Sequence, residues 1–408
     1  MLEIFKNKIS SYELPQNEIV ALAVSGGADS TCMTLLFSQI QDFNVRVLVV
    51  DHKLRDESTR EAEYVRDFIS SKFNFVVEIL TWERDFDVKS NVQSKARDAR
   101  YKLITDYCKK HNIKYFCTAH NKGDRAETVL MNIMRGTGID GLCSMRERAS
   151  VDGIFLVRPM LYFTRDEIES HLKQYDVTWV KDPSNNNERY ERIKIRKLLK
   201  TIEHSNLINA KHFISRLNLL SDNAQMANDF ITKYVNKKIQ QICKFFELGV
   251  IIINAEELAC EESEVVINVL KESIKKCNNN KFGSIRGDSL MSLYNLFVMS
   301  YQKMSFFETT LGGCMILFCT DDKHQPILLV IKEKSFRNEN FIKKNEVAKL
   351  TQMIIKQDCQ IIDEGLFSQA MEIIKTIPKN NKIFFGTEFI LKNDERIYPS
   401  LGISEILS

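Results

Sequence analysis

Three short segments of this 408-residue chain carry side chains able to hold charged ligands. The first is Ser25-Gly26-Gly27-Ala28-Asp29-Ser30, between an apolar run at 20–24 and a helix-like stretch. Two glycines permit a tight turn and close approach of backbone N–H groups to an anion, and the start of the next helix adds partial positive charge. Ser25 and Ser30 bring hydroxyl donors, and Asp29 is a carboxylate suited to holding magnesium against a phosphate. The Gly-Lys-Ser/Thr ending of a Walker A loop is missing. The second segment holds Asp124 and Glu127, three residues apart, a spacing that sets both carboxylates on one face of a helix. The third, Arg189-Tyr190-Glu191-Arg192-Ile193-Lys194-Ile195-Arg196-Lys197, places positive charge beside an aromatic ring. Such charge supplies salt-dependent phosphate contacts, and a tyrosine stacks on an unpaired base.

The elements that must position these groups alternate in type. Residues 19–24, 45–51, 75–80, 115–119 and 155–157 read as strands rich in Val, Ile and Phe. Residues 30–41, 57–73, 92–111 and 125–135 have helical spacing. This alternation predicts an α/β, Rossmann-like parallel sheet with helices on both faces, whose ligands sit beyond the carboxyl ends of the strands. Past Pro183 the texture changes: a polar turn, the basic stretch 189–200, then helical spacing at 206–242 and 261–276. Short runs at 315–319, 327–331, 382–385 and 388–391 suggest strands of a small α+β module. Three domains are expected, at 1–205, 206–277 and 278–408.

Composition narrows the class. Fifty-seven basic residues against 54 acidic ones leave +3, so any nucleic-acid site must be local. With only 15 Gly and 6 Pro, collagen-like and linker-dominated chains are excluded. No apolar run approaches the roughly 20 residues that span a bilayer, and the first ten residues lack a signal-peptide core, so no membrane and a cytoplasmic location are expected. Ten cysteines without a Cys-x-x-Cys pair predict reduced, mostly buried thiols and no zinc or iron–sulfur site. The oligomeric state stays open, a homodimer being one of the states allowed.

The hexapeptide 25–30 resembles the Ser-Gly-Gly-x-Asp-Ser signature of the pyrophosphatase-loop ATP enzymes, which cleave ATP between its α- and β-phosphates. Further motifs fall in the order seen in the tRNA(Ile)-lysidine synthases. These are Asp51-His52-Lys53-Leu54-Arg55, Ala96-Arg97-Asp98-Ala99-Arg100-Tyr101 and the run from Thr118 to Thr128. Arg135-Gly136-Thr137-Gly138, Arg158-Pro159, Leu161, Arg165 and Asp182-Pro183-Ser184-Asn185 follow. The match covers about residues 20 to 200. It implies that ATP adenylates the C2 oxygen of the wobble cytidine of tRNA(Ile), and that the side-chain amine of free L-lysine then displaces AMP.

By the same resemblance Ser25, Gly26, Gly27, Asp29, Ser30, Asp51, Gly136 and Gly138 would bind ATP, with magnesium on Asp29. Asp124 and Glu127 would bind lysine, and Arg97, Arg100 and Arg135 would neutralise phosphate charge. His120 would hydrogen-bond phosphate or substrate, and either His120 or Asp124 would take the amine's proton. Arg189, Tyr190, Arg192, Lys194 and Arg196 would touch the tRNA, with the C-terminal half gripping its body. Two positions depart from the family: Asn121 stands where a second histidine is usual, and Gly123 where an aspartate is usual. Three alternatives remain: a tRNA thiolase, for which Cys108 and Cys117 both fall in the nucleotide domain, an amide-forming relative, and a binding protein without turnover.

Overall fold

Strands buried on both faces need apolar side chains at every position, and the first half of the chain supplies them. The computed structural model describes residues 1–14, 18–40, 43–53, 57–83, 95–180, 191–205, 212–246, 249–278, 285–320 and 325–332, and the backbone alone at 92–94, 389–390 and 396–397. By its internal contacts it divides into residues 1–228 and 229–408.

The first unit runs α1 (Leu2–Ser11), β1 (Ile19–Val24), α2 (Ala28–Ser38), β2 (Asn44–Asp51), α3 (Ser58–Phe73), β3 (Val76–Thr81), α4 (Val92–Lys110), β4 (Tyr115–Thr118), α5 (Lys122–Met134), α6 (Ile139–Leu142), β5 (Arg148–Val151), β6 (Ile154–Val157), α7 (Arg165–Gln174) and α8 (Glu191–Glu203). α9 (Phe213–Ile242) begins in this unit and ends in the second. The sheet order is β3-β2-β1-β4-β6-β5, parallel throughout except for β5, which forms an antiparallel hairpin with β6. Winding reverses between β1 and β4, and in such sheets ligands bind outside the carboxyl ends of the strands at that reversal.

Alternate residues serve opposite faces. Val20, Leu22 and Val24 join Val45, Val47 and Val49 in a core with Met33, Leu36 and Phe37 of α2, Val65 and Ile69 of α3, and Ile168 and Leu172 of α7. Ala21, Leu48, Phe116 and Leu156 face the other way, onto Ile104 and Cys108 of α4. α5 belongs to neither core; Ala126 and Val129 lie against Ile195 and Leu199 of α8 and Leu217 of α9. Buried Arg125 pairs with Asp222 at 2.5 Å and so fixes α5 to α9.

The second unit contains β7 (Cys243–Phe246), β8 (Val250–Asn254), α10 (Ala255–Ala259), α11 (Ser263–Cys277), α12 (Gly287–Lys303), β9 (Phe307–Leu311), β10 (Cys314–Thr320) and β11 (Pro326–Lys332). A two-stranded pair, β12 (Phe389–Ile390) and β13 (Arg396–Ile397), follows. The five-stranded sheet β7-β8-β11-β10-β9 is antiparallel. Val269, Leu270 and Ile274 of α11 and Leu293 and Phe297 of α12 pack on Ile251, Ile253, Ile316, Phe318, Leu328 and Val330.

The α/β sheet agrees with the sequence, while α1, α7, α12 and the β5 hairpin add to the elements legible there. Residues 243–254, expected in a helical module, form two strands, and residues on both sides of 277/278 share one core. The contact division falls at 228/229, within α9, instead of at 205/206 and 277/278. The strand expected at 382–385 lies outside the described residues. Among the described residues, no helix is long and apolar enough to cross a membrane.

Candidate active site

The phosphate loop is held in shape by its own hydroxyls. Ser30 Oγ accepts from the Ser25 N–H at 3.2 Å and donates to the Gly27 carbonyl at 3.0 Å; Thr31 Oγ1 donates to the Gly26 carbonyl at 3.2 Å. Gly26 adopts φ +78°, and a Cβ there would collide with Val65 of α3. Gly27 is the N-cap of α2 and offers no side-chain cap, so the helix start is left to backbone donors.

Asp29, in the first turn of α2, accepts from Asn121 Nδ2 at 2.9 Å and is bonded by the Arg165 guanidinium of α7. Burial pushes its carboxyl above the usual range, while Arg165 and Asn121 pull it back. Asn121 is also the N-cap of α5: its Oδ1 accepts from the Asp124 N–H at 3.0 Å, and its own N–H donates to Asp124 Oδ2 at 3.0 Å. One amide thus touches both Asp29 and the helix that carries the acidic pair.

That pair is already engaged. Arg192 of α8 donates from Nε to Glu127 at 2.7 Å and from Nη2 to Asp124 at 3.1 Å. Arg196, one turn on, donates from Nε to Glu127 at 2.5 Å. Two residues expected on the tRNA side are therefore bonded to the two expected on the lysine side.

His120 follows β4, with its Nδ1 2.9 Å from the Thr118 hydroxyl. Desolvation pushes its pKa down to about 3; Asp124 opposes the shift, and Arg158, Arg97 and Arg192 add to it. At neutral pH it is an uncharged imidazole surrounded by cations. At the end of β2, Asp51 is buried and accepts from Thr59 Oγ1 at 2.6 Å and the Lys53 N–H at 2.9 Å, so it organises the turn into α3. His52 next to it bonds Arg100 Nε at 3.2 Å and is pushed down to about 4 by desolvation and Arg100, against Asp51. Arg97 is exposed and rests over the Tyr101 ring.

Other expected members are placed elsewhere. Arg135 caps the far end of α5, where it pairs with Glu191 at 2.7 Å; helical rise puts it about 16 Å along the axis from Asp124. Gly136, at φ +69°, and Gly138, the N-cap of α6, lie in the loop beyond it. Lys194 is exposed on α8. Arg189, Tyr190 and Asp182-Pro183-Ser184-Asn185 lie outside the described residues. Cys108 and Cys117 are fully buried, and burial pushes both thiols up, Cys108 to about 12, so neither is a thiolate at neutral pH.

Residues 1–202 match the family model described as PP-loop domain. Over 339 residues the chain is 33% identical to the tRNA(Ile)-lysidine synthase of Wolbachia pipientis wMel, covering 81% of this chain and 74% of that one. The chain belongs to the tRNA(Ile)-lysidine synthase family. A second relative of that name, from Anaplasma marginale (strain St. Maries), is 32% identical over 313 residues, 76% of this chain and 64% of that protein. Within this PP-loop, tRNA-modifying family, the sequence singles out Arg165 as a motif member and Asn121 as a departure, but not their shared contact with Asp29. Their common partner Asp29 lies 136 and 92 positions away, and only the fold joins them.

Proposed function

We propose that the chain ligates free L-lysine to C2 of the wobble cytidine of tRNA(Ile) with a CAU anticodon, through an adenylated cytidine. The observation that carries this is the link from Asp29 through Asn121 to Asp124. It sets a phosphate loop and a cation-holding acidic pair side by side at the switch between β1 and β4.

ATP lies on residues 25–30, its pyrophosphate facing the Ser25 and Ser30 hydroxyls and the start of α2. The cytidine C2 oxygen attacks the α-phosphorus, the bond to the bridging oxygen breaks, and pyrophosphate leaves. Arg97 and Arg100 face the growing negative charge; fixed donors of this kind are a large catalytic contribution. Lysine's amine then attacks C2, the C2–O bond breaks, AMP leaves, and the nitrogen loses a proton. Either Asp124 or His120 would accept it.

Magnesium suits Asp29, a hard oxygen donor beside the phosphate loop, with nucleotide oxygens and water completing the shell. The ion would neutralise phosphate charge, and Arg165 and Asn121 hold Asp29 in place. The basic outer face of α8 and the segment 189–190 would meet tRNA phosphates, and the second unit would grip the tRNA body.

Incubation of unmodified tRNA(Ile) with ATP and radiolabelled lysine tests the proposal. ATP-dependent label in the tRNA, lost when the wobble cytidine is replaced, is the expected result. Absence of label together with absence of tRNA-dependent ATP–pyrophosphate exchange would sink it.

A further inference from the structure

Every oxygen of the acidic pair has a partner within the chain. Glu127 Oε1 accepts from Arg196 Nε at 2.5 Å, and Oε2 accepts from Arg192 Nε at 2.7 Å and Arg196 Nη2 at 3.3 Å. Asp124 Oδ1 accepts from Arg192 at 3.1 Å, and Oδ2 from the Asn121 N–H at 3.0 Å. Three of these four oxygens already hold a guanidinium, so a substrate ammonium competes with Arg192 and Arg196 for the pair.

Withdrawal of both arginines at once is costly. The Glu127 side chain is 4% exposed, and a buried carboxylate stripped of its cation is strongly destabilising. A cation has to stay, so opening amounts to exchange of one cation for another. The arginines have somewhere to go, because their side chains are 33% and 41% exposed. They are also on the helix whose outer face carries exposed Lys194 and Lys200. Guanidinium forks match phosphate oxygens as well as they match carboxylates. α8 need not undock for this exchange, since Ile195 and Leu199 remain buried against Ala126 and Val129 while the long side chains rotate.

We propose that Arg192 and Arg196 are a latch on the lysine site. In the tRNA-free protein they occupy Asp124 and Glu127 and exclude free amine; tRNA phosphates on α8 draw them off, and lysine takes their place. The latch rests on the functional assignment above, with lysine at the acidic pair and tRNA on α8. It makes addition ordered, tRNA before lysine, and keeps a nucleophilic amine away from the α-phosphorus until the cytidine oxygen is in position.

Equilibrium dialysis of radiolabelled L-lysine against the full chain, without ATP and with or without tRNA(Ile) transcript, tests the latch. The wild-type chain is expected to bind lysine roughly tenfold more tightly with tRNA, as for an open form populated at about one part in ten. R192Q and R196Q, each leaving one arginine on Glu127, are expected to bind lysine without tRNA roughly fivefold more tightly than wild type, approaching its tRNA-bound affinity. R192K keeps a cation on Asp124 and replaces R192Q if circular dichroism shows that variant unfolded; it should gain about threefold. Equal wild-type affinity with and without tRNA would overturn the latch while leaving the lysine site standing. Folded variants that bind lysine more weakly under both conditions would also overturn it, by making the arginines part of the lysine site. No lysine binding to any form, with or without tRNA, would refute the lysine assignment itself and the latch with it.

Discussion

Asn121→Ala separates two jobs that one side chain performs. The substitution removes the cap bond to the Asp124 N–H at 3.0 Å and the bond to Asp29 at 2.9 Å, and leaves the backbone bond to Asp124 Oδ2. Loss of an N-cap costs about 0.5–2 kcal/mol, and loss of a hydrogen bond to a charged group about 1.5–3 kcal/mol. The cap alone therefore makes opening of the first turn of α5 about 2- to 30-fold more frequent. Hydrogen exchange read by mass spectrometry on peptides covering 121–128 measures this locally, with peptides from α11 as the control that should not change. Asn121→Asp is the companion variant. It keeps a capping oxygen but sets a second carboxylate against Asp29, so exchange at α5 should stay near wild type while the Michaelis constant for ATP rises roughly tenfold. Exchange within twofold of wild type in N121A would refute the capping role. An unchanged ATP constant in N121D would refute the link to Asp29.

Further outcomes follow from the same geometry. Asp124→Asn and Glu127→Gln should raise the Michaelis constant for lysine roughly tenfold or more and that for ATP by less than about threefold, because the two subsites are distinct; equal effects on both substrates, in steady-state kinetics, would contradict the assignment. Gly26→Ala meets both a positive φ and the Val65 side chain, so it should cost about 1–3 kcal/mol and abolish ATP–pyrophosphate exchange, with Val65→Ala restoring it only in part because the backbone strain remains. Acidification should destabilise the fold through His120 and His52, held at about 3 and about 4 against 6.5 in the unfolded chain. The unfolded state takes up protons first, so their contribution is complete above about 6.5 and is lost as pH falls toward 4. His52→Gln should flatten the fall of the thermal midpoint between pH 7 and 5, and an unchanged slope would count against it.

What the sequence reveals depends on how far apart the cooperating residues lie. The phosphate loop and α2 are contiguous, so their glycines, hydroxyls and carboxylate are visible as one motif. The shared face of Asp124 and Glu127 follows from helical period. Arg192 and Arg196 have the same period but an ambiguous meaning, since a basic pair one turn apart suits an outward phosphate face as well as an inward ion pair. Only the packing of Ile195 and Leu199 against α5 decides that they face Glu127. α7 had a local signal, the capping box of Thr164 with Glu167, and α12 had Leu290, Leu293 and Phe297 at helical spacing. β5 had none: Arg148-Ala149-Ser150-Val151 is barely apolar and is a strand because β6 offers an unpaired edge.

Gly123 and Asn121 meet at the cap of α5. A Cβ at position 123 would stand 3.2 Å from Asn121 Oδ1, the atom that caps α5. The aspartate usual in the family at 123 would crowd that cap, and it would give the helix start a third carboxylate against the two guanidiniums of α8. Gly123→Asp would therefore bring both a displaced cap and an added negative charge to the start of α5. The absence of a side chain at 123 is what leaves the Asn121 amide room to cap α5 and reach Asp29 at once.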